Sequence, residues 1–278
     1  MYTLANDQLS LAILDPIADQ ARLGTRYVAG GYIYQVTDAA RGPLLSGPAY
    51  PAPEPPVFDG QGLPEAFRDG LGPQGADALF LVPGVGLVTR QAPAAHEVRE
   101  LREPCVWQVA KGRGQIEFAT TQSLGDFGLE LVRVVALTGR TITSTTTLRN
   151  KGRAEIPFRW FPHPFYPLTA DGECCRFSVP VSFPENPGYH WAPSGYIARK
   201  LEAWDSARGY FQALTYEARG RVQVAQRHPL LGITLATCNY TPTSIPIWGN
   251  RNTFSFEPYF ERTLWPAQEA TWGMTYDL

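Results

Sequence analysis

A two-residue alternation of apolar and polar side chains returns along this chain from one end to the other, and it sets what the chain can fold into. It runs through GGYIYQVTD (30–38), GQIEFATTQ (114–122), LELVRVVALTG (129–139) and TITSTTTLRN (141–150). It resumes in GYFQALTYEA (209–218), RVQVAQ (221–226), GITLATCNYT (232–241), NTFSFEPYF (252–260) and ATWGMTYDL (270–278). In an extended chain successive side chains point to opposite faces, so each run can bury one row and leave the other wet. The runs are rich in Val, Ile, Thr, Tyr and Phe, with Gly, Asn or Pro between them, which is strand chemistry punctuated by turns. The expected fold is all-β, a large antiparallel β-sandwich in one domain over 1–278. LTGRT (137–141) and EARGR (217–221) are the expected hairpin turns.

Helix signals are few. LPEAFRDGL (63–71) is the best candidate, with Pro64 suited to a first turn and Glu65 to the positive helix end. The proline-rich RGPLLSGPAYPAPEPPVFDGQG reads as a linker or as an ordered excursion at about 40–80. Its Leu, Tyr and Phe favour the excursion.

The formal charge is -2, with 24 Lys+Arg spread among 26 Asp+Glu. Nucleic-acid binders usually gather their basic residues into a patch or stripe, so no nucleic-acid partner is expected. The N-terminus lacks a basic segment followed by an apolar one, and no apolar run is long enough to span a bilayer. A cytoplasmic protein with no membrane partner is expected. The four cysteines form no CxxC pair, so buried free thiols are expected and no metal site. GxxxxGK[ST], GxSxG and HExxH are absent. GGYIYQ and VPGVGLV are glycine turns between strands that open no helix, which argues against a dinucleotide site.

Two residues stand out for chemistry. His163 sits in FPHPF, where Pro162 and Pro164 restrict the backbone and make a strand end or rim the natural setting. A histidine held this way can exchange protons near neutral pH, or can simply be a packed imidazole. Glu257 sits in TFSFEPYFE, where extended geometry puts Thr253, Ser255 and Glu257 on one face and Phe254 and Phe256 on the other. Burying that carboxylate is costly unless it is paired or used, and burial would raise its pKa and make it a better base. A salt bridge at an exposed edge is the plain alternative. His96, Arg90, Arg159, Trp191, Trp248 and Asn250 are candidate sugar contacts, because sugar rings stack on flat aromatics while their hydroxyls need polar partners. His228, in QRHPLLG, reads as a turn residue.

LRNKGRAEIPFRWFPHPF (148–165), FSFEPYFERTLWPAQEATWGMTY (254–276) and the opening RLGTRYVAGGYIYQVTD together resemble the aldose 1-epimerase, or galactose-mutarotase-like, superfamily. The likeness runs over essentially the whole chain. It implies the β-supersandwich of that superfamily, with His163 as general acid and Glu257 as general base meeting in a groove. It further implies interconversion of sugar anomers through the open-chain aldehyde, with no cofactor and a small-molecule sugar as partner; a monomer or homodimer is expected, the sequence leaving the choice open. In VPGVGLVTRQAPAAHEVRE the context and spacing of Arg90 and His96 depart from the family pattern, so they stand only as possible sugar contacts. A carbohydrate-binding or sensing protein without turnover remains the alternative. A related lyase or hydrolase would instead leave a changed product, and a purely structural β protein would keep His163 packed and Glu257 paired at the surface.

Overall fold

In the computed structural model, which describes residues 1–51, 60–73, 78–90, 99–200, 209–217 and 219–278, the alternation becomes strands. The run TITSTTTLRN is the strand Thr141–Asn150, and every second residue from Ile142 to Asn150 is buried. It pairs with Phe127–Thr138 through the expected turn, Thr138 opposite Thr141. Among the described residues the strands form one ten-stranded sheet, two of four strands and two of three. The ten-stranded sheet runs from Tyr189–Trp191 at one edge to Trp107–Gly112 at the other. All the strand pairs are antiparallel, giving a β-sandwich architecture.

The layers meet through aromatic rings. Trp272, on the Glu269–Asp277 strand of the large sheet, is buried and stacks on Phe158 at 5.0 Å and 22°. It also meets Phe67 and Trp160 edge to face. Those three residues belong to the small sheet of Phe260–Leu264, Ile156–Pro162 and Glu65–Phe67. Large rings in such contacts bring both buried area and fixed geometry, so this small sheet is held firmly against the large one.

LPEAFRDGL does not form a helix. Glu65–Phe67 is a short strand, with Pro162 opposite Glu65 and Trp160 opposite Phe67. Local sequence suggested a carboxylate at a helix start, but all three residues of this strand are buried and Glu65 is paired with Arg133 at 2.7 Å. Tertiary pairing overrode a weak local preference. Arg133 occupies a core-facing position between Leu131 and Val135, and Ser144 and Thr146 do the same on the neighbouring strand. These polar residues gather on one ion pair that crosses from layer to layer.

The second expected hairpin is also absent. Tyr210–Tyr216 pairs with Ile245–Asn250 and Val181–Ser182, whereas Gln223–His228 pairs within the ten-stranded sheet. EARGR therefore carries the chain from one sheet to another. The strand before it buries Leu214 and the strand after it buries Val224, Gln226 and His228, each in its own sheet. Around the proline-rich stretch, Leu44, Leu45, Ser46 and Leu63 are buried; residues 52–59 lie outside the described set. The four cysteines are buried free thiols. No helix among the described residues is long and apolar enough to cross a membrane.

Candidate active site

The FPHPF segment is placed by its backbone. The Ile156–Pro162 strand ends at Pro162, and His163 then donates its N–H to the Pro64 carbonyl at 2.8 Å. Phe165 donates to the Gly62 carbonyl at 2.8 Å. Backbone donors alternate in direction along an extended segment. Pro162 and Pro164, which have no N–H, thus fall where the pairing with residues 62–64 requires no donor. Tyr166 closes the segment by exchanging bonds with Phe254. His163 is thereby set beside the Thr253–Phe256 strand.

That strand brackets the imidazole. Ser255 Oγ lies 2.8 Å from His163 Nδ1, and Glu257 Oε1 lies 3.4 Å from His163 Nε2. Residues two apart on one extended segment share a face, so this single row addresses both ring nitrogens. Glu257 donates its own N–H to Pro246, which continues the ladder past the strand end. Aromatic rings wall the imidazole. Phe165 stacks on it at 4.4 Å, and Tyr27 and Trp248 meet it edge to face at 6.2 and 6.0 Å.

His163 is 3% exposed and Glu257 6%. Burial pushes the Glu257 carboxyl up to about 7, although the Arg26 and Arg68 guanidiniums pull it back. Burial, with the Arg26 charge in support, holds the His163 imidazole well below its usual range. Both groups are driven toward their neutral forms, and one proton can pass between them across the 3.4 Å gap. A buried acid and base whose pKa values are shifted this way are suited to proton transfer near neutral pH.

The structure brings His163, Glu257 and Trp248 together. Arg159 is elsewhere engaged, its guanidinium forked onto Asp69 at 2.6 and 2.8 Å. Asn250 is buried; its amide donates to Pro48 O and its carbonyl accepts the Asn252 N–H. It therefore pins a neighbouring loop. Trp191 stacks on Phe183 at 5.1 Å at the edge of the ten-stranded sheet, with no ring contact to His163 among the described residues. Arg90 ends the Gly86–Arg90 strand, its side chain outside the described set, and His96 lies outside the described residues. His228 closes a turn as expected, its Nδ1 accepting the N–H groups of Leu230 and Leu231. Sequence reasoning missed Ser255 as a site residue, though its same-face relation to Glu257 was legible. Arg26 and Tyr27 carried no local signal, because only the fold brings them to this strand. A separate surface hollow of about 470 Å³ is lined by Arg149, Lys151, Pro266 and Glu269. Arg149 is paired there with Glu269 and Glu130, and Lys151 with Glu130, so these charges are engaged with one another.

No protein-family model matches this sequence, and no curated protein does. Solved structures do resemble it. A galactose mutarotase related enzyme from Lactobacillus acidophilus superposes with a TM-score of 0.63 at 14% identity, covering 99% of this chain and 96% of that one. A candidate aldose 1-epimerase from Escherichia coli K12 gives 0.61 at 16% identity, covering 99% and 97%. A galactose mutarotase-like protein from Lactobacillus casei gives 0.58 at 14%, covering 100% and 99%. Near-complete coverage of both chains makes the architecture that of the galactose-mutarotase-like fold. At these identities the likeness speaks for fold alone, since one fold hosts many chemistries.

Proposed function

We propose that this chain, built on the galactose-mutarotase-like fold, is a cofactor-independent aldose 1-epimerase that interconverts the anomers of a sugar. The observation that carries the reading is the bracketed imidazole, with Ser255 on Nδ1 and Glu257 facing Nε2. Anomer exchange requires a proton acceptor and a proton donor side by side, because the anomeric hydroxyl and the ring oxygen are bonded to the same carbon. Glu257 takes the proton of the anomeric hydroxyl. The electron pair left on that oxygen forms the carbonyl as the bond from C1 to the ring oxygen breaks, and His163 Nε2 gives the ring oxygen a proton. Rotation about C1–C2 presents the other face of the aldehyde, and closure reverses both transfers. When His163 carries the pair's proton it is an imidazolium, and its Nδ1–H donates to the Ser255 hydroxyl, which aims Nε2–H at the ring oxygen. The competent state carries one proton on the pair; below it His163 and Glu257 are both protonated, and above it both have lost their protons. Its pKa values belong to the pair.

The reading is tested by NMR magnetisation transfer between anomers across neutral and phosphorylated aldoses. Wild type is compared with His163→Ala and Glu257→Gln. Exchange that is fast in the wild type and lost in both variants supports the epimerase. The near-complete burial of the pair favours one rival, a carbohydrate-binding protein without turnover. Its signature is a sugar that binds but exchanges at the uncatalysed rate.

A further inference from the structure

We infer that the sheet face beside the histidine carries a second sugar subsite, so that the substrate is the reducing end of a glycosidically linked di- or oligosaccharide. The inference rests on the epimerase reading only for the role of the first subsite. Directly opposed residues of an antiparallel pair share a face. Phe211 lies opposite Trp248, and Trp248 lies opposite Ser255, so Phe211, Trp248 and Ser255 form one row that ends on His163 Nδ1. Along this row exposure falls from 64% at Phe211, through the half-buried Trp248, to none at Ser255. Two strand spacings put Phe211 roughly 10 Å from Ser255, the reach of one further sugar ring beyond the reacting one.

The row is built to hold flat rings. Trp248 stands edge to face with both His163 and Phe165, which fixes the indole between the reacting histidine and Phe211. At Gly209, in the left-handed region at φ 69°, an added Cβ would fall 2.8 Å from the indole and 2.3 Å from the Gly249 carbonyl. Only glycine leaves the indole its place here. The same-face residues further along its strand, Ala213 and Thr215, are small and exposed, so among the described residues of that strand nothing large stands beside the Phe211 ring. A large ring kept in water on a regular strand, in register with the candidate site and with no charge along the row, suits the apolar face of a pyranose. A second copy of this chain is a poorer occupant. One exposed ring beside Ala213 offers far less than the roughly 800 Å² per partner that a stable interface buries.

The test measures binding of glucose, galactose, maltose, cellobiose and lactose to the wild type, Phe211→Ser and Phe211→Trp, with anomer exchange followed in parallel and sedimentation run on each protein. Phe211 is exposed, so neither substitution burdens the fold. The inference requires at least one disaccharide to bind tighter than its own reducing-end monosaccharide. Phe211→Ser should weaken that disaccharide about tenfold, the loss of one stacked ring, while leaving the monosaccharide unchanged. Phe211→Trp should retain it. Disaccharides that bind no tighter than monosaccharides, an equal loss for both classes in Phe211→Ser, or a change of oligomeric state in that variant overturns the subsite. Phe211-dependent disaccharide binding with no exchange of any sugar sustains the subsite and removes the epimerase.

Discussion

Two carboxylates, Glu65 and Glu257, are buried in this protein within a few residues of the same histidine segment, and the fold treats them in opposite ways. Glu65 lies opposite Pro162, one residue before His163. It is met by Arg133 at 2.7 Å and by the Ser144 hydroxyl at 2.5 Å, with Thr146 at 3.4 Å. Arg133 spends its other donors on the Gly30 carbonyl and the Thr146 hydroxyl. Burial raises the Glu65 carboxyl, and the guanidinium and hydroxyls oppose that rise. Glu257 is equally withdrawn from water but faces an imidazole that burial keeps neutral. The difference separates structure from chemistry. A buried carboxylate surrounded by a cation and hydroxyls is fixed as a charge and serves as a bolt between layers. One left against a neutral base holds its proton loosely and can transfer it.

Substitutions that neutralise each site should break the likeness between them. The largest effect is expected from Glu257→Gln, which should slow anomer exchange by about 10²–10⁴-fold, the usual worth of a general base. The same variant should be more stable than the wild type at alkaline pH. The folded-state pKa of Glu257 is about 7 against 4.5 for the free group. The folded protein therefore binds more protons than the unfolded chain between those values, and wild-type stability attributable to this group falls as pH rises through that window. Urea unfolding at pH 8 should show the variant ahead by on the order of 1–3 kcal/mol, with the gap closing near pH 4. Arg133→Met should do the reverse, costing about 3–5 kcal/mol by leaving Glu65 buried without its cation. Adding Glu65→Gln to it should recover much of that loss, measured as the urea midpoint of the double variant. A single variant that costs under about 1 kcal/mol would make the two carboxylates alike.

Smaller effects sharpen the picture. Ser255→Ala removes the partner of His163 Nδ1 and loosens the imidazole's aim, and about 1 kcal/mol for one hydrogen bond corresponds to a roughly fivefold lower kcat with KM little changed. Arg159→Ala should change stability by less than about 1 kcal/mol, because its Asp69 partner is at the surface. Exchange should be unaffected, since the guanidinium is occupied by Asp69.

The strands were legible in the sequence wherever one face is buried and the other is wet. TITSTTTLRN spells its own burial pattern, polar core residues included. His163 and Glu257 were legible because prolines and aromatics around a titratable group are an expensive setting. LPEAFRDGL misled because the partner of Glu65 is Arg133, two sheets along the chain, and no local pattern encodes that pairing. EARGR misled for a related reason, since turn residues specify a change of direction but not which sheet receives the next strand. Ser255 was within reach of the two-residue period, whereas Arg26, Arg68 and Tyr27 reach the site only through the fold.

The protonation state of Glu257 tests the account most directly. Infrared difference spectra of the carboxyl stretch, taken from pH 5 to 9 on wild type, Glu257→Gln and Glu65→Gln, report it without any sugar present. The account predicts a protonated-carboxyl band that disappears near pH 7, is absent from Glu257→Gln and persists in Glu65→Gln. A band missing across the whole range, or one that vanishes with Glu65 instead, would contradict it.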